Sequence, residues 1–303
     1  MNKWIKRAAV GVGVVAALAA LLVLGARVVS ARKFAATYPV RDLPVPAMPQ
    51  DEASLAEGAR LYAARGCAEC HAPDGGGKAT IDDPALGRIL GSNLTRGRGG
   101  IGSQRADADL VRAVKHCVKP DGTSLVFMPC DESRLIPDDE LGRILAYVRS
   151  LPPVDREIVP EQLSLFGHVL NAFDVLPLVA AARIDFDAPV PPPPAAGPTA
   201  AYGERLAQIQ CVGCHGEGMS GGRIPGAPPS LPVPTNITMD STTGIGRWNR
   251  QQFGQLLRSG KRPDGTDVNP FMPWGTYKHL TDQELDALWA YLQTRPAKPF
   301  GNR

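Results

Sequence analysis

Two copies of one five-residue pattern constrain this chain more than anything else in it: Cys67-Ala68-Glu69-Cys70-His71 and Cys211-Val212-Gly213-Cys214-His215. Two thiols one helical turn apart reach the two vinyl groups of a single porphyrin. The histidine that follows then lies under the iron as its proximal ligand. This is the attachment signature of c-type haem. A redox dithiol or half a zinc site would explain one such pattern, but two of them in an exported chain point to two covalently bound haems. Cys67, Cys70, Cys211 and Cys214 would carry the thioethers, with His71 and His215 as proximal ligands. Such a chain must fold twice around a flat, rigid, apolar group.

The repeat extends well beyond the cysteines. An offset of 144 takes Cys67 to Cys211, Gly100-Ile101-Gly102 to Gly244-Ile245-Gly246, Phe127-Met128-Pro129 to Phe271-Met272-Pro273, and Glu140-Leu141 to Glu284-Leu285. Pro120-Asp121-Gly122-Thr123 maps to Pro263-Asp264-Gly265-Thr266 at 143, so small indels lie between. One domain is written twice. Each copy reads as helical, with a first helix over 52–66 or 200–210 running into the haem motif and a short one over 107–116 or 250–259. A closing helix follows, with apolar stripes Leu141, Ile144, Leu145, Val148 and Leu285, Leu288, Trp289, Leu292. Thr281 and Glu284 form a capping box, and Asp138 or Asp139 is expected to cap the other closing helix. With Pro 29 and Gly 32, the loops between are free to wrap a prosthetic group that supplies core a 100-residue domain lacks.

Each iron needs a sixth ligand. Met128 and Met272 each stand 57 residues after their proximal histidine, in Phe-Met-Pro, in a chain with only 6 methionines. A methionine can equally be core filler, but identical spacing favours ligation. His/Met ligation raises the potential and leaves no vacancy for substrate, so the chemistry implied is outer-sphere electron transfer.

The N-terminus sets the compartment. Lys3, Lys6 and Arg7 precede an uncharged run over 8–26, and Arg27, Arg32 and Lys33 follow it. Nineteen residues of helix span about 28 Å, close to the hydrocarbon thickness of a bilayer. A retained anchor fits this length. A cleaved signal, with Val29-Ser30-Ala31 as its processing site, is the other reading. Beyond Lys33 the chain has 27 basic against 30 acidic residues, which argues against a nucleic-acid partner.

Cys117 and Cys130 remain. In an oxidising compartment a local disulfide is expected; a thiolate ligand competing with Met128, or free thiols, are the alternatives. His116, at a helix end where a cation is favoured, reads as a surface or capping residue, and His168 and His279 have no counterparts. Trp248 reads either as a donor to a haem propionate or as packing at the haem edge. Asn93-Leu94-Thr95 and Asn236-Ile237-Thr238 match the glycosylation pattern, but their equivalent positions point to a structural turn. In the connector, Leu163, Phe166, Val169, Leu170 and Phe173 suggest a helix that is either buried between the two copies or exposed for a partner. A stiff run over 189–194 follows.

The order of helix, CxxCH, Asn-[Leu/Ile]-Thr, Gly-Ile-Gly, Pro-Asp-Gly-Thr, Phe-Met-Pro and amphipathic helix resembles class I cytochrome c domains in tandem. It is most similar to membrane-anchored dihaem cytochromes of bacteria, related to the cytochrome subunits of periplasmic dehydrogenases. The resemblance implies an all-α fold with an N-terminal transmembrane helix: 1–33 anchor or signal, 34–152 first domain, 153–198 Pro-rich connector, 199–303 second domain. It also implies a non-enzymatic one-electron carrier in the inner membrane with its haem domains in the periplasm. Its redox partners would be a periplasmic or membrane dehydrogenase, a small cytochrome or a terminal oxidase. A dihaem enzyme of peroxidase or thiosulfate dehydrogenase type, with one catalytic haem, is the rival.

Overall fold

The computed structural model describes residues 3–159, 162–225, 227 and 231–303. Helix α1 (Lys3–Ala35) is continuous, and its first five turns are exposed. The first copy follows with α2 (Glu52–Ala64), α3 (Cys67–His71), strands β1 (Ala79–Asp83) and β2 (Gly87–Leu90), α4 (Asp107–His116), α5 (Cys130–Ser133) and α6 (Asp138–Ser150). The connector holds β3 (Gln162–Leu163), α7 (Leu165–Ala172) and a 3-10 turn over Ala180–Arg183. The second copy has α8 (Ala200–Gln210), α9 (Val212–His215), α10 (Arg250–Ser259), α11 (Trp274–Tyr277) and α12 (Asp282–Thr294).

Local chemistry sets these boundaries. Asp51 accepts from Ser54 N–H at the start of α2, Thr199 from Tyr202 N–H at α8, and Asn249 and Gln252 close a reciprocal cap on α10. The expected Thr281/Glu284 box caps α12. The closing helix of the first copy differs: its cap position is Pro137, and Asp138 and Asp139 sit in the first turn, where they complement the helix dipole instead of capping. Within each copy the first and last helices cross at a glycine. A Cβ on Gly58 would clash with the Arg143 carbonyl, and one on Gly203 with that of Ala287. The cores are built on this crossing, with Leu61, Leu141 and Leu145 buried in one copy and Leu206, Leu285 and Leu288 in the other.

Among the described residues, a three-stranded antiparallel sheet, β1-β2-β3, adds to the helical reading. It has no equivalent signal in the sequence because its strands are short and turn on Gly87, held at φ 109°.

The copies pack through a reciprocal interface. The turn after the Phe-Met-Pro loop of each, α5 or α11, lies against the first helix of the other, α8 or α2. Arg60 Nη1 donates to His279 O at 2.9 Å, and Arg205 Nη1 to Leu135 O at 3.1 Å. Ala64 belongs to the core of the second copy and Ile209 to that of the first. At the centre, Arg65 is fully buried between Glu140 (2.8 Å) and Glu284 (2.7 Å), and Arg60 also reaches Glu284.

The connector helix corrects one expectation. It is not buried between the copies. Instead α7 packs along the last turns of α1, where Ser30 Oγ meets His168 Nδ1 and accepts from Asn171 Nδ2, both at 2.9 Å. Phe166 and Phe173 are left 54% and 61% exposed.

Candidate haem sites

Gly66, in the left-handed region at φ 80°, turns the chain from α2 straight into α3, so that Cys67, Cys70 and His71 lie on one helical turn. In the second copy α8 passes into α9 through Cys211. The four cysteines of the two motifs are unpaired and half-buried. Burial pushes the Cys67 and Cys211 thiols up to about 12, so both are protonated.

Each histidine expected to be a proximal ligand is held in one tautomer. His71 Nδ1 faces Ser92 O at 2.9 Å and His215 Nδ1 faces Thr235 O at 2.8 Å. A carbonyl can only accept, so Nδ1 carries the proton and Nε2 presents its lone pair. Burial lowers the pKa of both rings, which keeps them neutral as ligation requires. The carbonyls are placed by turns. Asn93 Oδ1 accepts from Thr95 N–H and Asn236 Oδ1 from Thr238 N–H, while their amides donate to Val154 O and Lys298 O. Both asparagines are buried, as the structural-turn reading of these tripeptides expects.

In the second copy the predicted residues converge. Cys211, Cys214, His215 and Met272 line one cavity of about 260 Å³, walled by apolar side chains including Ile245, Phe253, Leu256 and Val268. Trp248 is part of this wall. The donor set of two free thiols, a neutral imidazole and a thioether, in an apolar cleft, fits a covalently held haem. In the first copy Cys67 packs on the Leu61–Tyr62 core, whereas Met128 lies against a separate cluster of Cys117, Cys130, Ala180 and Ala181. The structure thus sets Cys67 and the expected distal ligand Met128 on different clusters.

Cys117 and Cys130 are joined as a disulfide, with Cα atoms 5.8 Å apart and both residues fully buried. Neither sulfur is then a thiolate for iron. Cys117 ends α4 in the left-handed region at φ 55°, where the second copy has Gly260 at φ 69°. The position of Cys130 is taken by Trp274, whose indole covers Gly260. His116 is buried rather than exposed. It stacks edge-on to Phe186, and burial together with Arg134 and Arg41 holds it neutral, not cationic.

Sequence reasoning missed Glu132 and Thr276. Thr276 Oγ1 donates to Glu69 Oε1 at 2.8 Å, inside the first haem motif, and the Glu132 carboxylate lies against Gly213, inside the second. The signal was present, since 132 and 276 differ by 144, as do 69 and 213.

Residues 200–296 match the cytochrome c family, and residues 53–148 match the family of cytochrome c oxidase, cbb3-type, subunit III. The chain carries two cytochrome c domains. It is 37% identical over 114 residues to the fructose dehydrogenase cytochrome subunit of Gluconobacter japonicus, a match covering 35% of this chain and 24% of that protein. It is 38% identical over 95 residues to the alcohol dehydrogenase (quinone) cytochrome c subunit of Gluconacetobacter polyoxogenes, covering 30% and 20%. A diheme cytochrome c-type protein of Cereibacter sphaeroides is 33% identical over 107 residues, covering 32% and 36%. The matches to the first of these relatives thus span a quarter or less of their length. Two cytochrome c domains bring two covalently bound c-type haems, and α1 is a candidate membrane helix.

Proposed function

We propose that the chain is an electron-transfer subunit, held in the bacterial inner membrane by α1 with its cytochrome domains in the periplasm. It would pass single electrons from a dehydrogenase towards a small cytochrome or terminal oxidase of the respiratory chain, and would not itself be the catalytic subunit. Cys67, Cys70, Cys211 and Cys214 hold the haems, with His71 and Met128 as axial ligands in the domain over 34–152 and His215 and Met272 in that over 199–303. The observation that carries this reading is the convergence of Cys211, Cys214, His215 and Met272 on one apolar cavity. A haem held by histidine and methionine supplies outer-sphere transfer of one electron. Thr235 O and Ser92 O orient the imidazoles, and the apolar wall keeps water away. The relatives named as dehydrogenase cytochrome subunits support the role and the partner. The buried Ser30 supports a retained anchor, because processing after Ala31 would strip it from His168 and Asn171. The Cys117–Cys130 disulfide speaks against a thiolate-ligated catalytic haem.

An anaerobic spectroelectrochemical titration of the full-length holoprotein, with spin state recorded at each potential, tests the proposal. Two low-spin waves in the His/Met range are expected. A high-spin component, or one wave at strongly low potential, would replace the carrier with a dihaem enzyme of peroxidase or thiosulfate dehydrogenase type.

One wave is expected to depend on pH. Burial pushes the Glu132 carboxyl up to about 7, Asp131 adds to the shift and Arg183 opposes it, and Cys211, Cys214 and Tyr277 feel its charge. Reduction nearby favours the protonated acid, so the potential falls as pH rises around 7. The slope is bounded by about 59 mV per pH unit for a one-electron couple. Glu132→Gln flattens that slope and leaves the other wave unchanged; a slope that survives the substitution rules Glu132 out.

A further inference from the structure

The apolar run of α1 ends at Ala26, yet the helix continues to Ala35, and its face through Val23, Ala26, Ser30 and Lys33 is covered or partly covered. The cover is α7, and the pairing has a clear direction. Arg27 lies near His168, Ser30 bonds His168 and Asn171, and Lys33 bonds Asn171 O at 3.0 Å and Asp174 at 2.8 Å. Numbers rise together along both helices, so they run side by side in the same sense. At a rise of about 1.5 Å per residue, Leu165 and Phe166 stand level with Gly25–Arg27, where the apolar run gives way to charge.

A bilayer adds roughly 5–7 Å of headgroup region beyond each side of its hydrocarbon core. If α1 spans with residues 8–26 in that core, Ser30 lies about 6 Å beyond it. Leu165 and Phe166, 55% and 54% exposed, then meet the acyl boundary, whereas Phe173, level with Lys33 and so about 10 Å beyond the core, stands outside the headgroups. The polar groups at this depth are satisfied within the protein: Ser30, His168 and Asn171 bond one another, and Lys33 neutralises Asp174. Arg27 and Arg32, both exposed, face the level at which anionic headgroups lie. A docked protein would explain the exposed apolar face but not its register against the end of the span.

We propose that the N-terminal end of α7, through Leu165 and Phe166, enters the lipid interface beside α1 and gives the protein a second membrane contact; this rests on the reading of α1 as a retained anchor. Because β3 pairs with β2 and Ser164 bonds Ala85 O and Leu86 O, α7 is fastened to the first cytochrome domain. The contact would therefore set the height and tilt of that domain above the membrane.

The full-length holoprotein, reconstituted into phosphatidylcholine/phosphatidylglycerol vesicles that carry a diazirine on the lipid tail, is irradiated and its peptides mapped by mass spectrometry. Carbene adducts are expected on α1 and on 164–175, but not on the peptide bearing Phe300, which is also half exposed and is hydrogen-bonded to Thr243 in the second copy. In Leu165→Ser/Phe166→Ser, adducts on 164–175 are lost while those on α1 remain. Labelling of α1 alone in the wild-type protein overturns the proposal, leaves the anchor reading standing, and returns this face to a protein partner or a second copy. Labelling of neither segment overturns both.

Discussion

Met272→Ala lowers one of the two redox waves by on the order of 100–300 mV and leaves the other in place; axial ligation spans roughly 0.8 V in haem proteins. The thioether is a soft neutral donor that favours reduced iron, so its removal stabilises the oxidised state. Met272 lines the same cavity as His215, and truncation there also opens space in the apolar wall. Met272→Leu separates the two effects, because it retains the volume and removes only the sulfur; an equal fall in potential in both variants identifies ligation. Met128→Ala is expected to move the other wave, so that the pair assigns each potential to its domain. If both waves stay where they are in both variants, the distal assignment fails.

Arg65→Ala is expected to cost about 3–5 kcal/mol, the range for removing one partner of a buried ion pair. By the usual size scaling this lowers the melting temperature by roughly 6–20 °C. The guanidinium is fully buried and donates to Glu140 at 2.8 and 2.9 Å and to Glu284 at 2.7 Å. Without it Glu140 loses its ion-pair partner inside the interface, while Glu284 keeps Arg60 and the Thr281 N–H. Burial alone would raise the Glu284 carboxyl, but Arg65, Thr281 N–H and Arg60 together lower it. With the folded pKa below the ordinary value of 4.5, this contribution is present above that value and is lost as pH falls through the lowered pKa. In the variant Glu284 keeps one of its two cations and Glu140 none, so less of the stability depends on ionised carboxylates and acidification narrows the gap to the wild type. Differential scanning calorimetry at pH 7 and below pH 4.5 reads both effects; a variant that melts with the wild type at pH 7 would show that Arg65 holds nothing together.

The parts of the molecule legible in the sequence are those written in local spacing. CxxCH is one helical turn, the closing helices carry their stripes, and Thr281 and Glu284 are three residues apart, so each could be placed without knowing the fold. Arg65 could not, since its partners lie 75 and 219 positions away and nothing about a single arginine marks it as buried. The packing of α7 on α1 left almost no sign: Ala26 and Ser30, four apart, share one face, but alanine and glycine recur throughout that helix. His116 was misjudged because a helix terminus predicts its dipole but not Phe186, which arrives from the connector to cover it. The disulfide was legible as a pair, whereas its replacement by Trp274 over Gly260 required seeing that both devices secure the same left-handed helix end.

The reciprocal packing of α5 on α8 and α11 on α2 is the geometry of a symmetric homodimer, in which each surface serves as its own partner. Two separate, identical chains can change such a surface only on both sides at once. Once the halves share one polypeptide that restriction is lifted, and the two sides of the seam do differ: Glu132 faces Gly213 where Thr276 faces Glu69, and one half closes a helix with a covalent bond where the other lays an indole over a glycine. Joined in one polypeptide, the two halves are distinguishable, so that in the proposed relay a direction of flow can be encoded between them.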